Sequence, residues 1–425
     1  MVPQHPQRAQ LHNEIHERPP EPMAAPLAIS HIVMVCDAEQ REASREHLAC
    51  LLRDHHLAVP DRDATHLRVE IGSTRIRWEL HTEFVSWTAI RRLDEEAFDP
   101  RYPASAGHDL PQDWLAELPG QCLVSQHLWA LAVRPLAIEE CARALLNEEQ
   151  WVASAVAGGS ARVYTDFAIH GDGFSRVLLM SGDLSPRRLG RLVQRLLEIE
   201  TYRMAALLGL PVARKAARML GEAESELAAL AQAVRSAQRE EEPALLDRLT
   251  RLAGSVEGEY ASTHGRFSAS AAYFELVDKR IAQIDEVRLP GLQTIGEFMD
   301  RRLSPARATC EWAARRHDAL SQRISRVSNL LRTRVEIEQQ LSSQALLETM
   351  NRRQDLQLKL QATVEGLSVA AITYYIVGLV SYLSKGAQKL GWPLSVETST
   401  AVSVPVVALA VWWSMRRMHR AISGH

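Results

Sequence analysis

Cysteine pairing is missing from this chain. Its five cysteines, Cys36, Cys50, Cys122, Cys141 and Cys310, are odd in number, scattered, and never in CxxC spacing. That argues against a disulfide framework and a cysteine zinc site, and it fits buried thiols in a reducing compartment. A basic excess is missing too. The formal net charge is −3, and a nucleic-acid binder carries a basic surplus or stripe, so no nucleic-acid partner is expected. The opening MVPQHPQRAQLHNEIHERPP has no apolar run of the kind a secretory signal needs. The glycine-rich GSARVYTDFAIHGDG lacks both a P-loop lysine and a G-x-G-x-x-G turn opening a helix, which argues against a nucleotide site. No cofactor and no catalytic residue is read from the sequence.

What is present comes in distinct blocks. A chain of 425 residues with 24% charged side chains exceeds one simple core and suggests two or three units. Its 46% hydrophobic content is ordinary, so any membrane part is small and local. Residues 1–28 hold Pro3, Pro6, Pro19, Pro20, Pro22 and Pro26, which forbid a long helix and predict an extended arm with one short helix near Arg8–His16. Residues 29–184 read as a cytosolic α/β domain. HIVMV is a buried strand, EQREASREHLACLLRDHH a helix, and the stretch from His66 to Ile90 alternates with a turn at Gly72-Ser73. The order then repeats, with a strand in CLVSQHLWALAV, a helix from Pro135 to Glu149, and three strands between Trp151 and Gly182. This predicts a duplicated β-α-β-β-β unit in an α+β chain.

From Ser185 onward strand patterns stop. Residues 185–365 read as a helical and coiled-coil stalk region, with Pro211, Pro243, Pro290 and Pro305 as punctuation. Helices are expected over Pro243–Val256 and Gly265–Val287, and an unbroken one from about Ala306 to Gly366. The last carries an apolar stripe through Leu320, Ile324, Leu331, Leu346, Leu360 and Leu367, which needs partners along its length.

Residues 366–415 predict a two-helix transmembrane hairpin. Spans 366–384 and 398–415 carry no charge, and 19 residues of helix reach roughly 28 Å, close to a hydrocarbon core of about 30 Å. Tyr382, Trp392, Trp412 and Trp413 sit where interfaces should lie. Arg416 and Arg417 open a basic tail, 416–425, expected on the cytoplasmic side. Both termini are then cytoplasmic and the anchor lies in the inner membrane. Pro405 within the second span is tolerable in a membrane helix.

Three motifs, LHNEIHERPPEPM (Leu11–Met23), HTEF (His81–Phe84) and TVEGLSVAAITYY, resemble those of the DUF3422 family of bacterial proteins. The resemblance covers essentially the whole chain. It implies a membrane anchor but no established activity, and it supplies no catalytic residues. The order of parts is also similar to CorA-type magnesium transporters: cytosolic α/β domain, long helix into a first span, short loop, second span, basic tail. The Gly-Met-Asn signature of those transporters is absent here, where SYLSKGAQKLGW stands, and Glu397 faces Lys385 and Lys389 in the loop, a poor collector of divalent cations.

Two groups of residues are weak candidates for chemistry. His12 and His16, four apart with Glu14 beside them, would share a helix face and could hold a metal, although H-x-E-x-H is not the zinc-peptidase spacing. The competing reading is an arm pinned to the domain by hydrogen bonds and ion pairs. His81 and Glu83 would point to one face of a continuing strand and meet the N-terminal motif. At the membrane mouth, Glu365, with Ser368, Thr373 and Tyr375 in the first span, would line a pore in an oligomer. The expected role is a non-enzymatic, homo-oligomeric binding or scaffold protein on the bilayer, associating through stalk and transmembrane helices. The alternatives are a divergent CorA-like cation channel and a metal-dependent enzyme using HNEIHER.

Overall fold

A computed structural model describes residues 20–94, 98–132, 138–388 and 395–422, together with 2, 4–8, 12 and 393. Two compact units divide the chain, Met1–Ser328 and Asn329–His425. The expected N-terminal helix and most of HNEIHER, including Glu14 and His16, lie outside the described residues, as does Trp392.

Alternating apolar side chains build one nine-stranded sheet in the first unit. In chain order the elements are β1 (Leu27–Val35), α1 (Ala38–Asp54), β2 (His66–Ile71), β3 (Thr74–Leu80), β4 (Phe84–Arg92), α2 (Gln112–Ala116), β5 (Gln121–Leu131), α3 (Ile138–Leu145), β6 (Val152–Val156), β7 (Ala161–Thr165) and β8 (Ser175–Met180). Helices α4 (Pro186–Leu207), α5 (Gly209–Ser236) and α6 (Glu242–Gln283) follow, then β9 (Val287–Arg288), α7 (Ile295–Gln388) and α8 (Val396–Ile422). The strand order is β2-β3-β4-β1-β5-β8-β7-β6-β9. The β-α-β-β-β succession occurs twice, and each time the first strand lies beside the fourth. Strand direction does not repeat: β1 runs antiparallel to β4, whereas β5 runs parallel to β8. Between β2 and β3 the two-residue turn needs a positive φ at its first position, and Gly72 supplies it at +60°.

Three helical expectations change. The patterns over Pro243–Val256 and Gly265–Val287 merge into the single 42-residue α6, because Leu245, Leu249, Leu252, Val256, Phe267, Phe274 and Val277 keep one buried stripe across the join. Pro305 sits inside α7 rather than stopping it. Burial of Leu303, Ala306 and Cys310 on either side offsets the roughly 3 kcal/mol that an interior proline costs. Strands also return after Ser185: β9 pairs with β6, Val287 opposite Ala155 and Arg288 opposite Ser154.

Period-two alternation gives the sheet two different faces. Leu27, Ile29, Leu128, Val177 and Leu179 pack against Leu189, Leu192, Val193 and Leu196 of α4, Phe274 of α6, and Ile295 and Met299 of α7. On the other face Ala28, Trp129, Leu178 and Met180 meet Leu51 of α1 and Leu145 of α3.

The proline-rich segment docks where the first face meets α4. The Glu21 carboxylate, with its side chain only 11% exposed, pairs with Arg75 of β3. Met23 is buried and its N–H donates to the Pro186 carbonyl at 2.9 Å. Gly190 of α4 makes the approach feasible, since a Cβ there would lie 1.7 Å from the Glu21 carbonyl oxygen. Gly190→Ala is therefore expected to destabilise the protein by about 1–3 kcal/mol through overpacking and to open a protease cut near residues 20–26. Gly254→Ala, where a Cβ meets open space in α6, should instead gain about 0.5–1 kcal/mol. Chemical denaturation of the two variants decides, and equal effects would remove the docking argument.

Candidate functional site

The HTEF motif lies in a turn rather than a continuing strand. β3 ends at Leu80 and β4 begins at Phe84, and the His81 N–H donates to the Phe84 carbonyl at 2.9 Å across the turn. The His81 ring lies 4.5 Å from the Phe84 ring. Glu83 leaves the sheet for α6, where Arg266 holds it with two hydrogen bonds of 2.7 and 3.3 Å. Burial and the Glu83 carboxylate both push the Tyr273 phenol up. Glu83 therefore joins the sheet to the helical layer. Among the described residues no group of three His, Cys, Asp or Glu side chains converges as a metal site.

Above that turn a row of polar residues crosses the helix-covered face. Strand register places Arg68, Arg77, Thr88, His31, Gln126 and Ser175 side by side. His31 spans the layers: Nδ1 lies 2.9 Å from Thr88 Oγ1 and Nε2 lies 3.2 Å from Thr201 Oγ1 of α4. Thr201 already donates to the Leu197 carbonyl, so it accepts from Nε2–H, and Nδ1 accepts from Thr88. Burial, then the charges of Arg77 and His81, pushes the His31 pKa down to about 3. Nearby, Tyr202 is raised to about 12, chiefly by burial and by Glu198. Arg77 Nε lies 3.3 Å from Glu79 Oε2 but out of hydrogen-bond alignment.

The opposite face of the same strands opens into a cleft of about 860 Å³. Ile32, His127, Trp129 and Arg176 form its floor, with Phe174 and Asp172 from the β7–β8 connection and Arg101 to Ala116 along one wall. His127 is stacked on Phe174, rings 3.9 Å apart and 5° from parallel. Its Nδ1 lies 2.9 Å from Ser30 Oγ, which in turn accepts the Gly107 N–H at 2.8 Å. Arg176 donates to Asp172 at 2.9 Å and to the Leu145 carbonyl at 3.1 Å. Trp129 Nε1 donates to the Ala104 carbonyl at 3.1 Å, which holds the wall segment against the floor. Burial pushes the His127 pKa down to about 4, against the pull of Asp172. His127 stands inside an apolar strand, and sharing a face with Trp129 in the alternation is its one local mark in the sequence.

In the second unit, two helices are long and apolar enough to cross a membrane, and none of either apolar window is buried within the protein. Glu365, Ser368 and Thr373 lie on the half-buried face of α7, whereas Tyr375 is 75% exposed. Gln361 donates to the Glu365 carboxylate at 3.4 Å. Cation–aromatic pairs mark the helix ends: Lys385 over Tyr382 at 5.7 Å, Arg416 over Trp412 at 4.9 Å and Arg417 over Trp413 at 5.4 Å.

Sheet, helical layer and apolar C-terminal helices together define a mixed α+β protein with two candidate membrane spans. The chain belongs to the DUF3422 family, described as a protein of unknown function, whose family model matches residues 3–422. No curated protein and no solved structure matches. The likeness to CorA-type transporters thus rests on the order of parts alone.

His31 and His127 give an acid-sensitivity prediction. A folded pKa depressed below the unfolded value of about 6.5 means that the unfolded chain binds protons first as pH falls. Stability is full above pH 6.5 and drains as pH falls toward 3 for His31 and toward 4 for His127. Each contributes up to about 1.4 kcal/mol per pH unit in that window. Denaturation midpoints measured from pH 7 to 4 should fall less steeply in His31→Gln, which does not titrate. Parallel slopes for parent and variant would refute the assignment.

Proposed function

We propose that this chain is a homo-oligomeric binding protein anchored in the bacterial inner membrane, with its α/β domain and both termini in the cytoplasm. The supporting observation is the uncovered state of the two apolar windows in α7 and α8. A core helix of a soluble protein is shaded by its own chain, whereas Leu367, Leu379, Leu383, Val406 and Leu409 are each at least 60% exposed. Covering each such side chain is worth about 1.5–3 kcal/mol, and a bilayer does so along the apolar window of each helix. Tyr382 at one end and the Trp412–Arg416 and Trp413–Arg417 pairs at the other suit the two interfaces. Between Leu330 and Leu360, α7 also exposes Leu341, Leu346, Leu347 and Leu356 to more than half of their surface, which supports a second copy of the chain as partner.

Two measurements test this reading. The full chain should stay with membranes through alkaline carbonate extraction, and a version ending at Ala362 should move to the soluble fraction. A full chain soluble without detergent would sink the anchor. The solution mass of the detergent-extracted protein should exceed that of one copy, and a monomer would sink the oligomer.

A further inference from the structure

His127 differs from His31 in one respect that matters for binding. Both ring nitrogens of His31 are bonded within the fold, but only Nδ1 of His127 is. Among the described residues no protein group meets His127 Nε2, and that atom is not among the sealed polar atoms of the interior. The ring itself is one of the cleft's lining side chains.

The buried serine decides what that nitrogen offers. Ser30 is 3% exposed and its oxygen already accepts the Gly107 N–H. Its own hydroxyl proton has His127 Nδ1 as acceptor at 2.9 Å. The opposite assignment would leave a buried hydroxyl proton unpaired, which costs at least about 1–3 kcal/mol. Nδ1 is therefore the acceptor and Nε2 carries the proton. Burial favours the neutral ring, so Nε2–H is the donor that His127 has to offer a molecule in the cleft it lines.

The surroundings restrict what it meets. Cleft-lining charges are two arginines, Arg101 and Arg176, against one carboxylate, Asp172. Arg176 is committed to Asp172 and to the Leu145 carbonyl. Arg101, 76% exposed in its side chain, holds only the surface residue Asp99, a contact of little energetic weight. Aromatic surface is at hand in the Phe174–His127 stack and in Tyr102, which is 83% exposed on the rim. The volume falls in the range of about 300–1,000 Å³ usual for small-molecule sites.

We propose that this cleft binds a small aromatic carboxylate. The ring lies against the Phe174–His127 stack with Tyr102 as cover, and the carboxylate accepts from His127 Nε2–H and from Arg101. This rests on reading the α/β domain as a binding module and does not depend on the hairpin.

Calorimetric titration of the full detergent-extracted chain tests it, with indole-3-carboxylate as probe and indole, acetate and inorganic phosphate as comparisons. Saturable binding of indole-3-carboxylate is expected, at least tenfold tighter than any comparison. Arg101→Ala and Tyr102→Ala, both at exposed positions, should each weaken it at least fivefold, and His127→Phe, which keeps the stack and removes the donor, at least tenfold. If His127→Phe fails to fold, the two exposed variants decide. Equal heats in parent and variants would mean uptake into detergent and overturn the proposal. So would phosphate or neutral indole binding as tightly as the carboxylate. A chain that binds the probe but is soluble without detergent would sink the anchor alone; a membrane-bound chain indifferent to the probe would sink the ligand alone.

Discussion

Apolar surface that the chain does not cover must be covered by something else, and at α7 and α8 this constraint governs the rest. The first unit meets it internally: a nine-stranded sheet hides one face under α4, α6 and the start of α7, and the other under α1 and α3. The second unit buries no residue of its two apolar windows fully. With about 1.5–3 kcal/mol at stake per large side chain, such a surface in water would drive aggregation rather than a stable fold. The proposed lipid environment resolves this without asking anything of the sheet. It also accounts for cation–aromatic pairs whose tips favour a wet, polar boundary.

Much of this organisation was legible in the sequence. Strand alternation is a local signal, so β1 to β8 and the turn at Gly72 could be read residue by residue. Uncharged runs are equally local, which is why the two apolar helices were evident. The misreadings come from places where tertiary packing overrides a local cue. Pro305 carries the strongest breaker signal there is, yet buried neighbours hold it in α7. Gly265 looks like a boundary, but the stripe from Val256 to Phe267 keeps its phase. β9 has two residues and exists only because β6 offers an unpaired edge.

The candidate site was far less legible. HTEF stood out as a motif, and the sequence suggested a polar site on a strand face. Its acidic residue instead ties a turn to α6 through Arg266, a contact across 183 positions that no local pattern announces. The described part of the N-terminal motif behaves similarly, with Glu21 and Met23 fastening the segment to β3 and α4. The pinned-arm reading of HNEIHER concerns residues that lie mostly outside the described ones. Motif strength in the sequence thus marks joints between layers, where several elements must meet in one geometry.

The cleft illustrates the converse. Adjacent positions on β1, Ser30 and His31, face opposite sides of one sheet, and each is bound up with a histidine. On the helix-covered side the imidazole is a strut: two threonines take both nitrogens, and removing water from it costs acid stability for a fixed connection between sheet and α4. On the other side a serine takes one nitrogen only, and the same burial leaves a neutral ring at the lining of the cleft. Nε2 is not sealed in the interior, so water can meet it in the free protein, and a molecule entering the cleft would take that water's place. At HTEF, by contrast, Arg266 already holds the Glu83 carboxylate.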